Sequence, residues 1–457
     1  MFNSILLFLC LATLSACVPV GQISDVAERR VVSLPDTMPS MARFGATNPS
    51  PPARSNRAIA EDILDLSFAM ESGRQLERIS RFEGPISVAL APGASATLSQ
   101  DLSRLLSRMR AEAQIDIQQV PYETERAAAV TIETLPRARM QRVVPQAACF
   151  VVPRVSSWGE FRSQRGQRAL DWTTLDTRER VAVFIPNDVS PQEMRDCLHE
   201  EVSQAIGPLN DLYRLPDSVF NDDNFNAVLT GFDMLVLRVY NSSEIRSGMT
   251  RSQMAAALPS LLARYNPSGT GRGGGVSADT PRPWIDAIET ALSGSGNTTR
   301  RIAAAQRAVN IAQDAGWRDN RTAFGHFVLG RLSLSRDANA SFAAFQQAAA
   351  LYSQLDPQSI QLAHVRMQLA AFALSNGDAG GALHLTGLAS PVARRRENAA
   401  LLSTLLMMRA EALERLGRPA EARSVRLDSL AWGRYGFGAD EVVQDRLAEI
   451  ASLAPNT

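Results

Sequence analysis

The chain of 457 residues contains no lysine: its 47 basic Lys-or-Arg positions are all arginine, matched by 47 acids. At zero formal charge there is no broad positive surface for a phosphate backbone, and the run Arg394, Arg395, Arg396 has acids close by in sequence. Nucleic acid is therefore not an expected partner. Histidine is nearly as scarce, with four in all. His326, His364 and His384 stand singly, without a second ligand one helical turn away, and are read as packing or surface residues. There is no G-x-S-x-G elbow, and His199 has no serine or cysteine at a recognisable spacing, which argues against a conventional hydrolytic triad. Beyond the N-terminus, no apolar run approaches the ~20 residues that cross a bilayer.

Four cysteines speak to the compartment. The opening "MFNSILLFLCLATLSAC" has a polar start, an apolar stretch from Ile5 to Leu14 and small residues before Cys17, the pattern of a signal peptide over 1–16. The stretch is short for a membrane span, and an ordinary secretory peptide or a short membrane helix stays open as the alternative. Leu14, Ser15, Ala16 and Cys17 resemble a bacterial lipobox, which implies cleavage before Cys17 and its diacylation and N-acylation. Val18 follows in place of an aspartate, so the resemblance implies an outer-membrane anchor facing the periplasm. Cys10 is then lost and Cys17 lipidated, leaving Cys149 and Cys197 to pair in a compartment that permits disulfides. The loop of nearly fifty residues would contribute roughly 4 kcal/mol. Two buried free thiols are the alternative.

Residues 17–57, rich in Pro, Ser and Asn, read as the lipidated cysteine and a flexible tether. From 58 to 265, helical and strand patterns mix: "ISVALA", "IDIQQV", "AAVTIETL", "ACFVVPRV" and "VAVFIP" are expected strands, and "TLSQDLSRLLSRMRAEA" and Met194 to Ile206 expected helices. An α+β domain follows. Residues 266–283 read as a Gly/Pro/Ser linker; their glycines lack the lysine and preceding strand of a phosphate loop. Residues 284–457 are Ala- and Leu-rich with helical spacing throughout. Gly377 with Ala382 recurs forty residues later as Gly417 with Ala422, and Asp337 holds the equivalent turn one period earlier. These turns, with Ser341, Phe345 and Ala348, resemble the tetratricopeptide repeat, with a period longer than that family's usual one.

The stretch "CLHEEVSQAIGPLNDLYRLPDSVFND", from Cys197 to Asp222, carries the functional question. On a helix, Leu198, Val202, Ala205, Ile206 and Leu209 share an apolar face, while Glu200 and Gln204 lie opposite with Glu201 beside them. Aligning Glu200, Glu201, Gln204, Gly207 and Asn210 with H-E-x-x-H-x-x-G-x-x-H shows a resemblance to the metzincin zinc peptidases, with each ligand histidine replaced and only the general-base glutamate and the glycine kept. Asp217 to Phe220 resemble the methionine turn of that family, and "LTGFDMLVLRVY" its closing helix. Together with "EExxQxxGxxND", ending at Asp211, these segments are also similar to a bacterial family of unknown function found in lipoproteins and secreted proteins.

Neutral amides suit harder cations than zinc, so no cofactor and no metal is expected. Three readings stay open: a solvated polar face, a degenerate cleft that binds a peptide or glycan, and a hydrolase using Glu201 as general base. Glu200, Gln204, Asn210 and Asp211 are the candidate cleft residues. The sequence thus points to an α+β metzincin-like domain followed by an all-α tetratricopeptide-like helical repeat domain. The expected role is a lipid-anchored binding protein whose repeats take an envelope protein or peptide, with a divergent peptidase as the alternative.

Overall fold

The computed structural model describes residues 38–45, 50–275, 277–294 and 296–453. The signal peptide, Cys17 and most of the tether lie outside the described residues.

Helix α1 (Asn56–Ser67) is capped by the Ser55 hydroxyl, which accepts from the Ala58 N–H. Strand β1 (Ile86–Leu90), helix α2 (Ala96–Glu112), strands β2 (Ile117–Val120) and β3 (Val130–Leu135), helix α3 (Arg137–Gln141), strand β4 (Phe150–Pro153), helix α4 (Trp158–Gln164) and strand β5 (Val181–Pro186) follow. They build one five-stranded sheet in the order β2-β1-β3-β5-β4. All neighbours are parallel except the edge pair, where β4 runs antiparallel to β5. Every residue of β5 is buried, because both faces of the sheet are covered, as a mostly parallel sheet requires. Val181, Val183 and Ile185 enter the main core, whereas Ala182 and Phe184 face Met140, Trp158 and Phe161 on the other side. That alternation is the two-residue period of a strand. Helix α5 (Pro191–Ile206) leaves β5 and packs on the main-core face with α2, α6 (Gly231–Tyr240) and α7 (Arg251–Tyr265). The first region is therefore a mixed α/β domain.

The second region is all helical: α8 (Arg282–Leu292), α9 (Thr298–Asp314), α10 (Asn320–Ser333), α11 (Ala338–Leu355), α12 (Ile360–Ser375), α13 (Ala379–Arg395), α14 (Ala399–Arg415), α15 (Pro419–Gly436) and α16 (Asp440–Ala451). Helices α10, α12 and α14 begin about forty residues apart and each pairs with the next helix in sequence, the spacing of stacked helical hairpins. Gly377 and Gly417 end the first helices of two hairpins with φ of 77° and 72°, left-handed positions that a side chain would strain. Ala382 and Ala422 are fully buried one turn into the partner helices, and Ser341, Phe345 and Ala348 are buried on α11. Asp337 caps α11 through the Ala340 N–H. Helices also pack closely at Gly436, where a Cβ would stand 2.5 Å from the Ala400 nitrogen.

The two regions interlock. Tyr213 and Phe225, from the segment between α5 and α6, belong to the core of the helical region; Tyr213 meets Trp284 with ring centroids 5.1 Å apart, and Phe225 meets Phe327 at 5.2 Å. Asn320 donates to the Tyr213 carbonyl at 2.6 Å and Gln361 to that of Pro216 at 2.7 Å. Arg195 of α5 is buried and donates to the Glu397 carbonyl at 2.6 Å, with a guanidinium nitrogen 3.6 Å from the Glu397 carboxylate; Arg104 reaches that carboxylate at 2.7 Å.

Two sequence expectations change here. Residues 38–45, assigned to the tether, lie against α15: Phe44 packs on Trp432 at 4.4 Å and the Ala42 N–H donates to the Ala431 carbonyl. The apolar Met38, Met41 and Phe44 bury surface against the helices, which outweighs the Pro and Ser content that suggested a free chain. Within the expected linker, Arg272 binds the Ala53 carbonyl while the Ala278 carbonyl accepts from Arg321, so this segment is fastened at both ends.

Candidate functional site

Helix α5 starts where Ser190 accepts from the Glu193 N–H and Pro191 takes the first helical position, a start signal in which proline loses no hydrogen bond. It stops at Gly207, where a Cβ would lie 2.6 Å from Leu237 and 2.7 Å from the Ser203 carbonyl. Leu198, Val202, Ala205 and Ile206, with Leu209 beyond, face the core as their spacing predicts. Cys197 is joined to Cys149, which holds the helix to the chain entering β4. The expected pairing is thus present.

The other face of α5 floors a cleft of about 270 Å³, with Glu200, Glu201 and Gln204 at its base. Met70, Glu71 and Ser72 form one rim; Phe150, Val151 and Trp172 form the other. The first rim is a tight turn closed by the Ala69–Gln75 bridge. Glu201 and Gln204 are each only 5% exposed, so the solvated-face reading does not hold: the turn and β4 cover what the helical pattern alone would leave wet.

Gln204 donates its amide N–H to Glu71 Oε1 at 2.8 Å. Asn210 donates to the Asp65 carbonyl at 2.9 Å and does not line the cleft. Asp211 has a buried Oδ1 with no hydrogen-bond partner among the described residues. Donor atoms of Glu200, Glu201 and Cys149 fall within 4.8 Å of one another, but the Cys149 sulfur is consumed by the disulfide. His199 is turned inward, its Nδ1 accepting from the Leu229 N–H at 3.1 Å. Burial, reinforced by Arg195, Arg108 and Arg104, holds its pKa well below the ordinary value, so the imidazole is neutral.

The carboxyls of the cleft behave as a group with Asp222 and with Asp211, an expected cleft residue that, like Asp222, does not line the cleft. Burial, then the charges of Glu71 and Asp222, pushes Glu200 up to about 8. Glu201 is raised well above the usual range by burial and by Glu200 and Glu71, and Asp211 by burial and by Glu71 and Asp222. Glu71 and Asp222 are raised as well, burial leading in both. Low-dielectric surroundings and like charges both disfavour the ionised forms. Near neutral pH the floor of the cleft therefore holds protons and can donate hydrogen bonds through carboxylic O–H groups.

A stability consequence follows with a definite sign. The folded chain binds these protons more tightly than the unfolded chain, so stability falls as pH rises from about 4.5 through about 8. Glu200→Gln is expected to flatten that fall, measured as urea midpoints across the pH range. Parallel pH profiles for the variant and the parent chain would contradict the assignment.

The turn from Asp217 to Phe220 is tied to the start of α6. Ser218 Oγ and the backbone N–H groups of Val219 and Thr230 all donate to the buried Asp233 carboxylate, while Phe220 is fully buried in the core. Burial pushes Asp233 up to about 6 against those hydrogen bonds. Glu71 is the cleft residue that sequence reading misses. It lies 133 residues before its partner Gln204, in a short turn without periodic signal.

These features define an α/β domain with a carboxyl-floored cleft beside an antiparallel edge strand, followed by an all-helical array. Residues 56–260 match the family model described as "Protein of unknown function (DUF2927)"; the chain carries a DUF2927 domain followed by a helical region. No curated protein and no solved structure matches the chain.

Proposed function

We propose that this chain is a periplasm-facing lipoprotein, anchored through Cys17, that binds an envelope protein or peptide without cutting it. One observation carries the reading: Gln204, in the place of a metal-binding histidine, gives its amide to Glu71, and the carboxyls around it are held protonated. A catalytic zinc needs deprotonated imidazole or carboxylate donors and one open position for water. This cleft offers two crowded carboxyls and an amide already engaged. It suits recognition of backbone carbonyls or hydroxyls, to which a carboxylic O–H donates.

Support for the metzincin-like reading comes from α5 following β5, from a polar helix face bordered by an antiparallel strand, and from the buried turn at Asp217–Phe220 tied to α6. The tetratricopeptide-like reading rests on the forty-residue spacing and the left-handed glycines. In this reading, the helical array presents the partner-binding surface.

Elemental analysis of the purified full chain tests the proposal: zinc well below one ion per chain is expected. Stoichiometric zinc together with proteolysis abolished by Glu201→Gln would replace it with the divergent-peptidase reading, in which Glu201 is the general base. Mass spectrometry of the N-terminal peptide should show acylated Cys17.

A further inference from the structure

A large cavity among the described residues lies between the two regions. Its volume is about 760 Å³, within the range of small-molecule sites. Arg43, Arg108, Arg394, Arg395 and Arg396 line it against a single carboxylate, Glu397. That acid is already matched by Arg104 at 2.7 Å and Arg195 at 3.6 Å, neither of which lines the cavity. Arg394 pairs with the half-exposed Asp428 at 3.0 Å and Arg108 with Glu112 at 2.7 Å, both acids lying off the cavity wall. Arg43 and Arg396 have no carboxylate within salt-bridge distance among the described residues. In a chain of zero formal charge, this half-open space concentrates positive charge.

Two further features mark the place. Glu397, directly after the three arginines, has φ of 54°, a left-handed conformation that a non-glycine residue keeps only where its surroundings over-determine it. Two aromatic residues share the lining with the arginines: Phe44 lies on Trp432 with centroids 4.4 Å apart, and the Arg394 guanidinium stands 5.0 Å over the Trp432 ring.

We propose that this cavity binds a small molecule carrying two or more phosphate groups. Guanidinium forks match phosphate oxygens in pairs. Each phosphate monoester carries about −1.5 to −2 charge at neutral pH, so two groups balance about three to four arginines. A single carboxylate would leave most of that charge uncompensated. The proposal is independent of the carboxyl-floored cleft, and it uses none of residues 46–49, which connect Gly45 to Ser50 in sequence and lie outside the described residues.

Calorimetric titration of the full chain with inorganic pyrophosphate, and separately with a short-chain water-soluble lipid bearing two phosphates, tests it. Saturable binding is expected, weakening with added salt and falling about tenfold or more in Arg394→Ala/Arg396→Ala, as loss of charge-assisted hydrogen bonds implies. Arg43→Ala, on the extended segment, gives a second reading should the double variant fold poorly. Arginine-dependent binding of the lipid alone would assign the phosphates to a lipid headgroup; binding of free pyrophosphate would assign them to a soluble ligand. No saturable binding of either probe, or binding undiminished in both variants, would overturn the proposal.

Discussion

Arg195→Met is expected to lower the stability of the folded chain by about 3 kcal/mol, at the lower end of the cost of breaking a buried ion pair. Methionine keeps much of the side-chain volume, so the loss reports charge rather than a void. Five contacts vanish together: the hydrogen bond to the Glu397 carbonyl, the ion pair with its carboxylate, the ion pair with Asp196 at 3.3 Å, and the placement of the guanidinium 5.5 Å over Phe44 and 5.3 Å over Tyr435. Glu397 is left buried with Arg104 as its remaining cation, which keeps the cost from the top of the range. Arg418→Met is the natural control, since the Arg418–Glu421 pair is exposed on both sides and such pairs contribute little. Urea midpoints of the two variants give the comparison. Equal midpoints would mean that the buried pair across the interface contributes nothing net.

Cys149→Ser/Cys197→Ser is expected to cost about 4 kcal/mol, because the bridge closes a loop of 48 residues and the unfolded chain regains that freedom when it is gone. The damage should concentrate at the site. Strand β4 is hydrogen-bonded on one side only, to β5, and the bridge is its covalent link to α5. Hydrogen exchange should therefore rise at Phe150 to Pro153 before the central strands respond. Both cysteines are replaced so that no free thiol can recombine. A denaturation midpoint within experimental error of the parent chain, in oxidising buffer, would refute the expectation.

The local elements were readable because their periods are clean. "VAVFIP" spans the observed β5, and Leu198, Val202, Ala205 and Ile206 face the core at the helical spacing their positions imply. The N-terminus of α5 was harder: the reading began at Met194, whereas Ser190 and Pro191 start the helix three residues earlier. Strand order was out of reach, since which strand neighbours β5 depends on crossovers that alternation of side chains does not encode. The cleft was half legible. Glu200, Glu201 and Gln204 do come together, but Asn210 turns to the Asp65 carbonyl and Glu71 arrives from a distant turn. A helical wheel reports which residues share a face; it is silent on what will cover that face. The same blindness made residues 38–45 look like free tether when their few apolar side chains find α15.

Tyr213 and Phe225 have a bearing on how the chain is made. These rings are encoded in the first half and are covered by the second, whose helices emerge later from the ribosome. The sheet can pair early, yet the segment between α5 and α6 must wait for Trp284, Phe324 and Phe327 to arrive. Until then two aromatic side chains stand uncovered, and the biosynthetic boundary of the first region falls well beyond its last strand.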